Sequence, residues 1–218
     1  MTILSSFMDL LFPPKCVFCR KILNKGEDGY CAKCAGELPL TDGELRERDG
    51  LTVISPLYFE GAVRDAIHRY KFGGASFYAG VFGKFLADCV HEQYDIITWV
   101  PLSRERLRQR GYDQAMLLAK ATAERLGNDA IPTLRKTVDT KAQSELGGKR
   151  ERQSNIKGAY EVIDAATIDG RRVLLIDDVV TTGSTLRECV GVLTKAGANE
   201  VVCAAFASTR ADSMTSGS

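Results

Sequence analysis

The stretch Val173–Val190, VLLIDDVVTTGSTLRECV, decides the fold. Its first four residues form an unbroken, branched apolar run, the pattern of a strand buried on both faces of a parallel sheet. Thr181 to Thr185 then crowd small residues around Gly183. Leu186, Val190 and Leu193 recur at helical spacing until Gly197, which follows Lys195 as a C-terminal stop. The pattern predicts strand, loop, helix. In an open α/β sheet, ligands sit beyond the carboxyl ends of the strands, and a loop feeding a helix N-terminus offers backbone N–H groups and a favourable dipole to an anion. A phosphate suits that cradle, because Gly183 lets the backbone come close and the hydroxyls of Thr181, Thr182, Ser184 and Thr185 add donors.

Two carboxylates, Asp177 and Asp178, stand between strand and loop, where they weaken a site for phosphate alone. They call for a ligand that also presents hydroxyls or a divalent cation, as a ribose 5-phosphate carrying pyrophosphate and magnesium does. A plain turn capped by Asp and Thr is the simpler reading, but a cap needs one such residue, not an acid pair and five loop positions. IDDVVTTGST resembles the phosphoribosyl pyrophosphate motif of type I phosphoribosyltransferases. That resemblance implies that Asp177 and Asp178 are the catalytic pair facing the ribose hydroxyls. It also implies that Val179 and Val180 border the ligand, that residues 181 to 185 hold its 5-phosphate, and that Mg2+ accompanies it. No GxxxxGK[ST] occurs, so a triphosphate loop of that kind is not supported.

The second signal lies at the other end. Cys16 and Cys19, then Cys31 and Cys34, form two C-x-x-C pairs separated by eleven residues, the spacing of a tetrahedral Zn2+ ribbon or knuckle. Gly26, Asp28 and Gly29 suit the turn that brings the pairs together. Disulfides are the competing reading, and nothing in the chain indicates secretion. Cys89, Cys189 and Cys203 stand apart on apolar patterns and read as small core residues.

With 218 residues, 44% hydrophobic and 26% charged, and a formal net charge of +1, the chain has room for one sizeable core and a small appendage. It is not globally basic, so any nucleic-acid contact must come from local charge clusters. MTILSSFMDLLFPP lacks a basic n-region and the length to span a bilayer; a short amphipathic helix leading into the ribbon is the expectation, and the chain is expected in the cytoplasm. The tail 211–218 is small and polar and is expected to be disordered. The division that follows is 1–45 for the helix and ribbon, 46–210 for the main domain, and 211–218 for the tail, with ELPLTDGELRERDG as the joint.

Between these ends, strands alternate with helices. LTVISPLYF reads as a strand pair or a strand with a turn; Val63, Ile67 and Tyr70 lie at helical spacing; Val81, Phe85, Leu86 and Cys89 are expected on one buried helix face. DIITWVP is a buried strand containing Trp99, Gly111–Leu126 carries the stripe Ala115, Leu118, Ala119, Thr122 and Leu126, and EVVCAAF closes the sheet. The fold class is α/β, a doubly wound, mainly parallel sheet. His68 and His91 have no visible partner and read as surface or core residues.

Two polar constellations remain. Arg104, Arg106, Arg108 and Arg110 fall within seven residues after the strand that ends at Pro101, with Glu105 the one compensating charge. Arginine there suits pyrophosphate, and a solvated helix face is the alternative. Arg135 to Tyr160 is long and polar, with Lys149, Arg150, Arg152 and Lys157 clustered around Gly147 and Gly148, as in a mobile flap that closes over an anion.

Taken in order, CxxC, CxxC, YKFGG, VPLSRERLRQRGYDQAMLLAK, QSEL, RQSNIKGAY and LLIDDVVTTGST resemble the ComF family of competence proteins across nearly the whole chain. The resemblance implies a type I phosphoribosyltransferase-like domain behind a zinc ribbon, and a role in natural transformation beside a competence helicase, reached through partners at the inner membrane face. It implies that Pro101, Leu102, Arg104 and Arg110 join the phosphoribosyl pyrophosphate site. Arg106, Arg108, Lys149, Arg150 and Arg152 are then expected on single-stranded DNA, with Tyr70 and Phe72 as stacking faces. Asp113 stands where many relatives carry Asn, so no phosphate contact is expected there. Two other readings stay open, a phosphoribosyltransferase of nucleotide metabolism acting on a nitrogen nucleophile, and a ribbon that docks a protein.

Overall fold

The computed structural model describes residues 13–41, 46–48, 50–137 and 158–210. Five strands make one path. β1 (Arg46–Arg48) lies antiparallel on β2 (Leu51–Ile54), and β2, β8 (Glu200–Ser208), β7 (Arg172–Val180) and β4 (Ile96–Trp99) follow in parallel. The short β3 (Leu57–Tyr58) adds to β8 after β2, so LTVISPLYF is two strand pieces on one neighbour. The segment read as a mere joint supplies the edge strand β1.

β7 is an inner strand, held between β8 and β4, and explains its own composition. Leu174 and Ile176 enter one core with Val202, Ala204 and Phe206 of β8, while Val173 and Leu175 enter another with Cys203 and Ala205. Both faces are covered, so no position of VLLI is polar. On the first face lie α2 (Gly61–Phe72), α3 (Tyr78–Ala87) and α5 (Gln114–Arg125); α7 (Ser184–Lys195) packs on the second, through Leu186, Cys189 and Leu193. Cys189 and Cys203 are wholly buried core residues, and Trp99 is buried as well.

α3 departs from the expected face. Phe82, not Phe85, is the core anchor, stacked on Phe206 with ring centroids 3.8 Å apart. Val81 and Phe85 are only partly buried and turn toward the ribbon, where Phe85 meets Phe18 and Tyr30 at 6.1 and 5.2 Å. A Cβ on Gly29 would lie 2.3 Å from Val81 Cγ2, and its φ of +74° is left-handed, so only glycine lets the ribbon settle this closely. Arg69 of α2 completes the docking, its guanidinium donating to the Val17 and Phe18 carbonyls at 2.8 and 2.7 Å.

α4 (Arg104–Arg110) follows β4, capped by Ser103, whose hydroxyl accepts from Arg106 N. Gly111 ends it at φ +79°, and Asp113 caps α5, so the second helix begins three residues later than the apolar stripe predicts. β5 (Leu134–Lys136) and β6 (Tyr160–Val162) pair antiparallel as the two ends of the expected flap. The basic residues of the expected flap, Lys149, Arg150, Arg152 and Lys157, lie outside the described residues, as do the stretch expected to form an N-terminal helix and the tail. Two short helices, α1 (Ala32–Glu37) in the ribbon and α6 (Ala165–Ile168) before β7, complete the order. No helix among the described residues is long and apolar enough to cross a membrane.

Candidate functional site

The acid pair lies inside β7, which runs on past the apolar run to Val180, and the chain then turns through Gly183 at φ +70°. Its φ is left-handed, and a Cβ there would press on Leu51 Cδ1 at 3.1 Å, so the bend favours glycine. Gly183 gives α7 no side-chain cap; Ser184 N donates to Thr182 Oγ1 at 3.4 Å, and the loop and first turn border the space above the sheet. Thr182 and Ser184 hydroxyls pair at 2.9 Å and fix the loop.

Above this loop lies a cavity of about 500 Å3. Val179 to Thr185, Asp177, Asp178, Pro101, Leu102 and Arg110 all line it, which joins segments far apart in sequence. Of the arginine run, Arg106 and Arg110 face the cavity, while Arg104 and Arg108 are exposed outside its wall. The expected division between Arg104 and Arg106 is thereby reversed. α4 buries no residue, and its period of 3.6 puts positions 106 and 110 on one side. One Arg106 guanidinium nitrogen is buried without a hydrogen-bond partner among the described residues, a cation prepared for an anion.

Among the lining residues that the sequence does not single out, three carry charge or an aromatic ring. Lys71, from YKFGG, places Nζ 2.8 Å from Asp178 Oδ1. Lys136 and Tyr160 arrive from the paired ends of the flap, the ammonium 5.2 Å from the ring centroid. Four cations thus surround two carboxylates, a balance that suits a polyanionic ligand.

Burial, then the charge of Asp178, pushes the Asp177 carboxyl up to about 7, with Lys71 opposing. Burial also lowers Arg110, whose Nη1 donates to Gln114 Oε1 at 2.8 Å. Asp113 is structural, because its two oxygens accept from Leu102 N and Met116 N, each at 3.0 Å, pinning the loop after β4 to the start of α5. Tyr70 is no stacking face. It is fully buried and donates its hydroxyl to Gln114 O at 2.8 Å. Phe72 is 63% exposed on the cavity wall. His68 and His91 are exposed and take no part in the cavity.

The metal site is separate. The Sγ atoms of Cys16, Cys19, Cys31 and Cys34 all lie within 4.8 Å of one another. Zn–S bonds of about 2.3 Å set thiolates about 3.8 Å apart in a tetrahedron, and Cys19 and Cys31 sulfurs stand at 3.7 Å. All seven cysteines are free thiols, so the disulfide reading fails. Burial opposes ionisation of Cys16, but N–H donors of Cys19, Cys31 and Phe18 hold its thiol below the usual value. The donor set fits structural zinc, with no position left open for chemistry.

The double zinc ribbon domain family matches residues 7–48, and the phosphoribosyl transferase domain family matches residues 113–216. Competence protein ComFC of Streptococcus pneumoniae is 28% identical over 175 residues, 78% of this chain and 76% of that protein. The chain is thus similar to ComF-type competence proteins over most of its length. Competence protein F of Haemophilus influenzae is 28% identical, the match covering 86% of this chain and 93% of that protein. The DNA utilization protein YhgH of Escherichia coli is 27% identical, with 88% and 96% covered. The fold is a type I phosphoribosyltransferase sheet behind a four-cysteine ribbon.

Proposed function

We propose that the chain binds phosphoribosyl pyrophosphate with Mg2+ in the cavity and acts in DNA uptake, handling incoming single-stranded DNA. One observation carries the reading: the acid pair, the Gly183 loop and four cations converge on a single cavity. In this reading the amides and hydroxyls of 181 to 185 take the 5-phosphate, Asp177 and Asp178 take the ribose hydroxyls, and Arg106 and Lys136 take the pyrophosphate. Mg2+ neutralises pyrophosphate charge when bound. Names carried by the relatives support the DNA-uptake half. A second reading, ribosyl transfer to a nitrogen nucleophile, draws on the room beyond the acid pair toward Phe72 and Gln109. Pyrophosphate release with one base among a panel would establish that transfer.

Arg104 and Arg108 project from the outer side of α4 and are our candidates for the strand's phosphates, with Lys149, Arg150 and Arg152 of the flap. The test is anisotropy with single-stranded DNA across a salt series. Replacing both Arg104 and Arg108 by Gln should reduce the slope of log K against log salt by about 1.4, at ~0.7 per charge. An unchanged slope removes α4 from the strand's path.

A further inference from the structure

Resting on the sugar-phosphate reading of the cavity, one part of the wall can be given a closer role. Phe72 is the last residue of α2 and 63% exposed, on a lining that mixes cations, carboxylates and hydroxyls with apolar side chains. Single exposed aromatics are ordinary on a surface. This one is different in its setting. Its neighbour Lys71 pairs with Asp178, so the ring stands one residue from the acid pair. The Arg110 guanidinium carbon lies 5.0 Å from the ring centroid, and Gln114 holds that guanidinium in place. His68, one turn back, sets its ring 4.9 Å away. Gln109, also on the wall, presents an amide able to donate and accept.

A flat π-surface backed by a fixed cation, beside an amide and next to a phosphate cradle, matches the parts of a nucleotide. The loop takes the phosphate, the acids take the sugar, and what remains is planar and aromatic. We infer that Phe72, with Arg110 behind it, is a stacking platform for a nucleobase. Stacking of a base on an aromatic ring is sequence-tolerant and strong enough to change affinity by an order of magnitude. The same chemistry serves a free base awaiting the ribosyl group and a base displayed by an incoming strand.

The experiment compares ligands with and without the base. Wild-type protein, Phe72→Ala and Phe72→Trp are titrated in Mg2+ with ribose 5-phosphate, with nucleoside 5′-monophosphates, and with oligothymidylate against an abasic strand. Because Phe72 is exposed, both variants should fold, checked by unchanged melting. Phe72→Ala should lose about 10-fold in affinity for base-bearing ligands, with ribose 5-phosphate unaffected and Trp restoring the wild-type value. A response confined to monophosphates identifies a free base; one confined to oligothymidylate identifies a strand. Equal affinities of wild type and Phe72→Ala for every base-bearing ligand overturn the platform. If ribose 5-phosphate fails to bind while base-bearing ligands still depend on Phe72, the sugar-phosphate reading falls and the platform stands. Failure of every ligand overturns both.

Discussion

Stripping the metal from the four cysteines is expected to lower the melting temperature by about 10 °C or more, the loss of several kcal/mol in a domain of this size. The ribbon has little core of its own. Cys16, Val17 and Phe18 are almost wholly buried, yet their neighbours are Tyr30, Phe85 and the α2–α3 face of the main domain. Without metal, four sulfurs within 4.8 Å no longer close the two knuckles. Arg69 then loses the Val17 and Phe18 carbonyls that it holds. Because Lys71 sits two residues along α2, loss of the ribbon should also weaken ligand binding at Asp178. Chelation followed by calorimetric melting, with the metal counted by a colorimetric indicator, checks this. One zinc per chain is predicted, and Cys16→Ser with Cys19→Ser should reproduce the apo state. A double variant that melts like wild type would remove zinc from the account of stability.

Replacing the acid pair should act in opposite directions on stability and on binding. Asp177 has a folded-state value raised by burial and by the charge of Asp178. Its unfolded value is lower, so ionised Asp177 destabilises the fold at all pH values above the folded value. That cost is relieved as pH falls from about 7 toward the ordinary 3.8. Asp177→Asn should therefore stabilise the ligand-free protein above neutrality, by about 1–2 kcal/mol, with the gain shrinking on acidification. Chemical denaturation at several pH values measures it. The same residue is costly to lose for function. Charge-assisted hydrogen bonds contribute about 1.5–3 kcal/mol each, so Asp177→Asn with Asp178→Asn should weaken phosphoribosyl pyrophosphate by about 100-fold or more. A protein that keeps a buried carboxylate such as Asp177 at a cost in stability is storing that cost for a ligand.

How far the sequence carried this site depends on the type of signal. β7, its loop and α7 were legible because one contiguous stretch holds strand, acids, turn and amphipathic helix, and local chemistry is what a sequence displays directly. The four cysteines were legible for the same reason. Lys71 and Lys136 were not, since their roles arise when α2 and the β5–β6 pair meet the end of β7, and spacing along a chain says nothing of that meeting. Arg106 was assigned outward and Arg104 inward because a helix that buries nothing has no apolar stripe to set its rotation. Phe82 was passed over for Phe85 because α3 is covered on two sides, by the sheet and by the ribbon, and a helix with two buried sides no longer has one face to find. Tyr70 read as a stacking residue by type; its helical position, in step with Val63 and Ile67, already marked it for the core.

The central claim is that the Gly183 bend and the acid couplet together grip an activated sugar phosphate. A crystal of the protein grown with phosphoribosyl pyrophosphate and Mg2+ tests it most directly. The account predicts density for the 5-phosphate against the amides of residues 181 to 185, with Asp177 and Asp178 on the ribose and Lys71 drawn off Asp178. Clear density for the sugar elsewhere, or a bend that stays empty at saturating ligand, would contradict it.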